Sequence, residues 1–448
     1  MIRSRAARAL AAVTRDKRTI DWVLEHRPDW MAHPLTQEYV YGVLRHYFEL
    51  QTAVDSYVHK PLRTKDLDVY CLLLVGAYQL MHHSIPSHAV LNETVAAASK
   101  LRKPWSKKLI NAVLRQLDST EQSFGAPSPL SPVLEMLLRQ QNSTKDCLQE
   151  LGAACMQRAP MWIRIAQGQV PIKEYLEQLN QAGIEYTQPF PEVLPETIQL
   201  HKAVATRQLP GWERGWVCVQ DVGAQLAALL IESGDITKIL DACAAPGGKL
   251  FHLLDRKTHQ NRGRSTGSVS QADALEISSS RANHLQTESA RLGHTINVLA
   301  VDATTDSWWD GRTYDLILID APCSGTGTTR RHPDLQLLLR PEHVTDHTRQ
   351  QLALLNNLWR MLSPGGTLLY STCSLLEAEN DNVVECFVTQ NEGVETEPAQ
   401  LPLGHKTRLG WQTTPLDNSD GFYYARLKKR VASTSIAVQN RSEGLSLT

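Results

Sequence analysis

Apolar residues in the first quarter of the chain recur at helical spacing. Val40, Val43, Leu44, Tyr47 and Phe48 fall at i, i+3, i+4, i+7 and i+8, the stripe of one helix face. The run Asp68 to Leu80 is apolar nearly all round, as a central bundle helix is. Pro86-Ser87 opens a further helix through Val95, and Asn111 to Leu117 closes the set. Residues 1–118 therefore predict helices only, and Gly125, Pro127, Pro129 and Pro132 mark a boundary at 119–132. Residues 133–212 are mixed: Met161 to Ile165 reads as a strand, and Ile172, Tyr175, Leu176 and Leu179 as a helix stopped by Gly183. From about residue 216 short apolar strands alternate with helices. The strands are Lys238–Leu240, Thr295–Ala300, Tyr314–Ile319 and Gly366–Tyr370. That alternation predicts a mainly parallel, doubly wound sheet with its ligand at the carboxyl ends of the strands. Residues 256–271 are polar and Gly/Ser-rich, a surface loop, and 431–448 read as a disordered tail. The organisation expected is a helical domain (1–125), a small α+β middle domain (133–212) and an α/β domain (216–430).

Length and composition agree with several domains. The chain has 448 residues, 42% hydrophobic and 21% charged, an ordinary globular make-up. Its longest nearly apolar stretch, Val69 to Met81, is shorter than the roughly 20 residues of a membrane span. Arg3, Arg5 and Arg8 precede no apolar segment of a secretory signal, so the start reads as a basic first helix. The eight cysteines include no C-x-x-C pair, which argues against structural zinc. They are also too sparse for a disulfide scaffold, and a reducing, cytoplasmic setting is expected. Lys+Arg at 46 nearly balances Asp+Glu at 47, so overall charge does not mark a nucleic-acid binder. Residues 1–120, however, hold 17 basic and 11 acidic residues against 29 and 36 in the remainder. A basic front on an acidic body is compatible with phosphate contact.

Three motifs carry chemistry. Asp241-Ala-Cys-Ala-Ala-Pro-Gly-Gly-Lys249 follows a strand and precedes a helix at Leu250–Leu254. Its small residues let backbone approach a ligand, and the helix start offers free N–H groups. It matches neither the dinucleotide nor the P-loop pattern. Acids recur after successive strands: Glu276, Asp302 and Asp320. One such acid can hold both ribose hydroxyls and another can reach an adenine edge, which points to a nucleoside site. Finally, Asp320-Ala-Pro-Cys-Ser-Gly-Thr-Gly327 and Ser371-Thr-Cys-Ser374 each place a cysteine at the carboxyl edge of the sheet. Cys323 and Cys373 have small polar neighbours, so both read as reactive thiols. A thiol suits methylation at C5 of cytosine, because adding it to C6 makes C5 nucleophilic enough to attack the methyl group of a sulfonium.

In these segments the chain resembles the RNA 5-methylcytosine methyltransferases of the Sun/Fmu family. Tyr41-Gly-Val-Leu-Arg45, Gly76-Ala-Tyr-Gln-Leu80 and Asn111-Ala-Val-Leu-Arg115 resemble the NusB-like helical domain fused ahead of the enzyme in the bacterial RsmB branch. The resemblance implies a multidomain chain: an all-α NusB-like bundle that binds RNA, a small α+β middle domain and a Rossmann-like domain dependent on S-adenosylmethionine. It implies that Cys243, Ala244, Ala245, Pro246, Gly247, Gly248 and Lys249 cradle the cofactor, with Glu276 on the ribose and Asp302 near the adenine. Asp320 would face the methyl-donor end beside the target base, with Lys249 reaching the active site. It further implies Cys373 as nucleophile and Cys323 in product release, with Arg330, Arg331 and His332 on RNA phosphates. The expected substrate is 16S rRNA at cytosine 967, with no metal and no membrane, and the protein a monomer. Another RNA such as tRNA, or a non-catalytic RNA-binding factor, are the rival readings. Trp308-Trp309 is expected to pack beneath a strand, and His82-His83 to be structural.

Overall fold

The first helix, Ile2–Thr14, is lined by small residues. Ala6, Ala7, Ala9, Ala11 and Ala12 are all buried, so it lies close against the apolar helix Leu67–His82. Around this pair pack Pro34–Arg45, Tyr47–Asp55, Ser87–Lys100 and Lys107–Asp118, giving an all-α bundle with its own core. In this computed structural model, residues 1–119, 128–141, 143–231, 236–260 and 269–431 are described. The expected tail, most of the 119–132 boundary and the centre of the 256–271 loop lie outside them.

The single helix face expected across Val40–Phe48 is interrupted. His46 sits at φ −100°, ψ 20° between two helices, its Nδ1 turned onto Glu49 at 3.0 Å. The middle unit is an antiparallel sheet ordered Tyr186–Thr187, Thr197–Leu200, Met161–Ile165, Val217–Val219, backed by Ile172–Gln181. Val217–Val219 pairs with Met161–Ile165, so this sheet runs past the expected limit at 212–216.

In the large sheet Lys238–Ala242 lies between Gln271–Leu275 and Tyr314–Asp320, parallel to both. Asn297–Leu299 adds beyond Gln271–Leu275, and Leu362–Thr372 beyond Tyr314–Asp320, again parallel. Tyr423–Lys429 closes that side antiparallel. The winding reverses between Lys238–Ala242 and Tyr314–Asp320, the switch point at which such sheets bind ligands. Some boundaries differ from expectation. Asp241 lies inside its strand rather than after it, and the following helix runs Gly248–Gln260. The expected loop therefore loses 256–260 to that helix and Gln271 to a strand. Trp308 and Trp309 pack against the core beneath the sheet.

The bundle is docked on the large domain. The backbone N–H of Ile20 donates to Asp334 Oδ2 at 2.9 Å, and Leu337 and Leu338 pack on the helical core. Among the described residues, no helix is long and apolar enough to cross a membrane.

Candidate active site

At the carboxyl edge of the sheet a cavity of about 250 Å³ opens beside the switch point. Cys243, Ala245, Glu276, Asp302, Asp320, Cys323 and Cys373 all line it. These residues come from five strand ends, and parallel pairing in register is what brings them to one rim.

The glycine-rich turn forms one wall. Cys243 has φ +65° and Gly247 φ +98°, and the chain turns tightly enough for Ala244 N–H to reach Leu275 O at 2.8 Å. A Cβ at Gly247 would stand 2.2 Å from the Phe251 ring, so only glycine fits there. Burial, then the charges of Asp241 and Asp320, pushes the Cys243 thiol up to about 12, and this cysteine is not a nucleophile at neutral pH. Beneath it, burial and Asp320 raise the carboxyl of Asp241 well above the usual range.

Two further acids face the cavity. Glu276 is 2% exposed; its Oε1 accepts from Ser278 N–H at 3.0 Å and its Oε2 lies 3.3 Å from Arg281. Asp302 Oδ1 accepts from the N–H and hydroxyl of Thr304. Lys249 does not line the cavity, but its Nζ meets Asp320 Oδ2 at 2.6 Å, and Ser371 donates to Asp320 Oδ1 at 3.2 Å. Ala244, Pro246, Gly247 and Gly248 stand behind the wall rather than on it.

The two cysteines meet. Cys323 Sγ and Cys373 Sγ are 3.4 Å apart, both free thiols and both half-buried. The hydrogen bond with Cys373, followed by burial, holds the Cys323 thiol well above its ordinary pKa. Their loops are tied together by groups that motif reading does not single out. Glu379, 0% exposed, accepts from Ser324 N–H at 2.8 Å and from the hydroxyls of Ser324 and Ser374, one from each cysteine loop. Gly327 N–H donates to Cys373 O at 2.9 Å, and a Cβ on Gly327 would collide with Gly421 O at 2.0 Å. Arg281, which also donates to Ala245 O at 2.6 Å, was equally absent from the motifs. An acid five residues beyond Ser374 was the available signal for Glu379.

The expectation for Arg330 and Arg331 is corrected. Arg330 is 4% exposed and donates to Asp420 at 3.0 Å; Arg331 bonds Asp420 and, at 2.6 Å, Asp221. They are neutralised inside the fold instead of presenting free charge at the surface. Of the three, His332 is the least buried, its side chain 42% exposed. His82, expected to be structural, lies with His46 and Glu49 so that their ligand atoms fall within 4.8 Å. These partners belong to a different helix and are invisible to local spacing. Hydrogen bonds from both imidazoles hold Glu49 down at about 2.

Comparison with known proteins matches each unit. A family model described as 16S rRNA methyltransferase RsmB/F matches residues 228–428, the NusB family 1–119, and an RsmF/B-like ferredoxin-like domain 136–207. Over 408 residues the chain is 38% identical to a probable ribosomal RNA small subunit methyltransferase B of Coxiella burnetii, covering 88% of this chain and 92% of that protein. Over 453 residues it is 36% identical to ribosomal RNA small subunit methyltransferase B of Pseudomonas syringae, covering 97% of each. Among solved structures, PH0851 superposes with a TM-score of 0.76 at 20% identity over 95% of this chain and 99% of that one. NSun6 from Pyrococcus horikoshii, solved with SFG, gives 0.58 at 18% identity, over 66% and 97%. At these identities the two structures speak for the fold.

Proposed function

This chain belongs to the RsmB/F family of 16S rRNA methyltransferases, and from that premise we propose that it methylates C5 of a cytosine, at position 967 of 16S rRNA, through a transient bond between Cys373 and C6. The observation that carries the proposal is the pair of thiols 3.4 Å apart on one cavity with three strand-end acids.

S-adenosylmethionine is the methyl donor that suits the cavity, and when bound it supplies an electrophilic methyl group on a sulfonium. The turn Cys243–Lys249, which puts Cys243 and Ala245 on the cavity wall, accepts its amino-acid part. Glu276 takes the ribose hydroxyls, Asp302 the adenine side, and the acidic rim favours a positive sulfonium. Cys373 adds as thiolate to C6, which places negative charge on the pyrimidine and makes C5 the nucleophile toward the methyl group. Asp320, oriented by Lys249 and Ser371, bonds the N3–N4 edge of the base. Loss of the C5 proton then expels the Cys373 thiolate and restores the aromatic ring. Cys323, whose sulfur is 3.4 Å from that of Cys373, serves acid–base work in this release, its thiolate taking the C5 proton.

The test is to supply labelled methyl donor with 16S rRNA, tRNA and total RNA and map the modified nucleotide. Label at C5 of 16S cytosine 967 is expected, with Cys373→Ala reduced by at least about 10³-fold. Label on tRNA alone, on another atom of the base, or robust turnover by Cys373→Ala contradicts the proposal.

A further inference from the structure

The interruption between two bundle helices carries a cluster that methyl transfer does not use. His46, between Pro34–Arg45 and Tyr47–Asp55, points its Nδ1 at Glu49 Oε2, 3.0 Å away. His82, the last residue of the helix Leu67–His82, brings its Nε2 to 3.2 Å from the same oxygen. Among the described residues this is the one group of three histidine, cysteine or carboxylate side chains arranged to hold a metal ion, with its ligand atoms all within 4.8 Å of one another. The ion-pair partners of Glu49 among those residues are the two histidines, so no lysine or arginine holds its carboxylate.

The cluster is braced from one side and open on another. The His46 and His82 rings have centroids 4.0 Å apart, and the Tyr78 ring packs on them at 5.9 and 5.4 Å. Tyr78 is itself fixed: its hydroxyl donates to Glu38 at 3.0 Å, and its ring covers Gly42, where a Cβ would stand 2.1 Å from it. The three ligand side chains nevertheless remain 18–31% exposed, so an ion can enter from solvent and water can complete its coordination.

We infer that His46, Glu49 and His82 bind a divalent transition-metal ion, zinc above all, which staples the helix interruption to the end of the central bundle helix. Zinc takes imidazole nitrogen and carboxylate oxygen at ~2.0–2.2 Å in a tetrahedron, which puts neighbouring ligand atoms roughly 3.3–3.5 Å apart. The two N···O separations of 3.0 and 3.2 Å are already near that edge, so side-chain rotation alone can admit the ion. Each imidazole then presents a lone pair to the metal in place of an N–H to the carboxylate, and the fourth position is left to water. Two nitrogen ligands select zinc over magnesium and calcium, which take oxygen shells. The helix that ends at His46 also carries Arg45, which donates to Arg330 O of the large domain at 3.3 Å. An ion here thus fixes the bend beside the contact that docks the bundle. The inference goes beyond methyl transfer and depends on no step of it.

Metal binding tests it directly. Full-length protein without an affinity tag is stripped with a chelator and titrated with zinc chloride against a chromophoric zinc indicator. One equivalent is expected to bind at micromolar concentration or below, and excess magnesium should not displace it. His82→Gln, and separately Glu49→Gln, should weaken binding by about a hundredfold or more, at least the loss that removing an outer partner of a metal ligand causes. His26→Gln, a histidine stacked on Trp22 elsewhere in the bundle, should leave it unchanged. Circular dichroism of the stripped proteins establishes that each variant is folded. Cobalt in place of zinc gives a reading that needs no variant: visible d–d bands without the thiolate charge-transfer band that cysteine ligands produce. Absence of stoichiometric zinc binding by wild type overturns the inference. So does binding that survives in folded His82→Gln and Glu49→Gln, or a wild-type cobalt spectrum dominated by thiolate charge transfer, because the ion would then be held elsewhere.

Discussion

Cys323 and Cys373 share one chemistry but not one environment. The bond between them raises the pKa of Cys323, and in the mechanism proposed above Cys373 is the sulfur that adds to the ring. That division depends on the two loops holding their separation, and Glu379 is the side chain that spans them. It touches neither reacting atom by the bonds it makes, so it is a positioning residue. Glu379→Gln presents an amide N–H where Ser324 N–H or a serine hydroxyl must be accepted. The expected result is kcat lower on the order of 10²-fold with KM for RNA unchanged, as for displacement of a nucleophile by about 1 Å. A parallel loss of both parameters, or no loss, contradicts the role. Steady-state kinetics with Cys323 and Cys373 intact reads it directly. The sequence announced both cysteines because each follows a strand among small polar residues. It could not announce that Arg330 and Arg331 are silenced, because Asp420 lies some ninety residues on and is brought near only by the closing strand.

At the scale of elements, the strand–turn–helix unit Lys238–Gln260 does most to shape the site. Its turn closes against Phe251 and Leu285, with Gly247 in a backbone region that side chains avoid. Gly247→Ala should cost on the order of 1–3 kcal/mol of stability. It should also weaken S-adenosylmethionine binding more than tenfold, measured by urea unfolding and calorimetric titration. Wild-type affinity in that variant would remove the turn from the cofactor site. Most elements were legible from periodicity, including the strands that end at Asp320 and Thr372. The strand Gln271–Leu275 was not, and the reason is Asp273. A buried carboxylate breaks the apolar run, and it is tolerated because Tyr314 OH and Asn297 Nδ2 donate to it at 2.7 and 3.0 Å from other strands of the sheet. Such partners exist only after the sheet has formed. The same holds for the helix that claims residues 256–260, whose polar face is buried against the middle unit.

At the scale of the whole molecule, that contact is ionic. Arg164 of the middle sheet pairs with Asp255, and Glu196 accepts from His252 Nε2 at 2.7 Å and Arg256 at 2.8 Å, all but Arg256 nearly fully buried. Burial, then the charge of Arg164, pushes His252 down to about 4, so it is neutral here and donates from Nε2. Glu196 is held at about 2, its burial outweighed by the hydrogen bond from His252 and the nearby positive charges. Both pKa values lie below those of an unfolded chain, so the folded state binds fewer protons. Stability should fall as pH drops from about 6.5 to 4 through His252, and further from about 4.5 to 2 through Glu196. Melting temperatures from pH 7.5 to 4 should show that decline, with His252→Gln flattening the upper part. An unchanged slope in that variant would assign the acid sensitivity elsewhere.

The sulfur–carbon bond itself is open to direct detection. Cys323→Ala enzyme is incubated with 16S rRNA and S-adenosylmethionine, the denaturation-resistant complex is isolated, and mass spectrometry of its peptides locates the attached nucleotide. A methylated cytidine on Cys373 is the outcome predicted by the arrangement of the two thiols. A nucleotide attached to any other residue, or no covalent complex while methyl transfer proceeds, would contradict it.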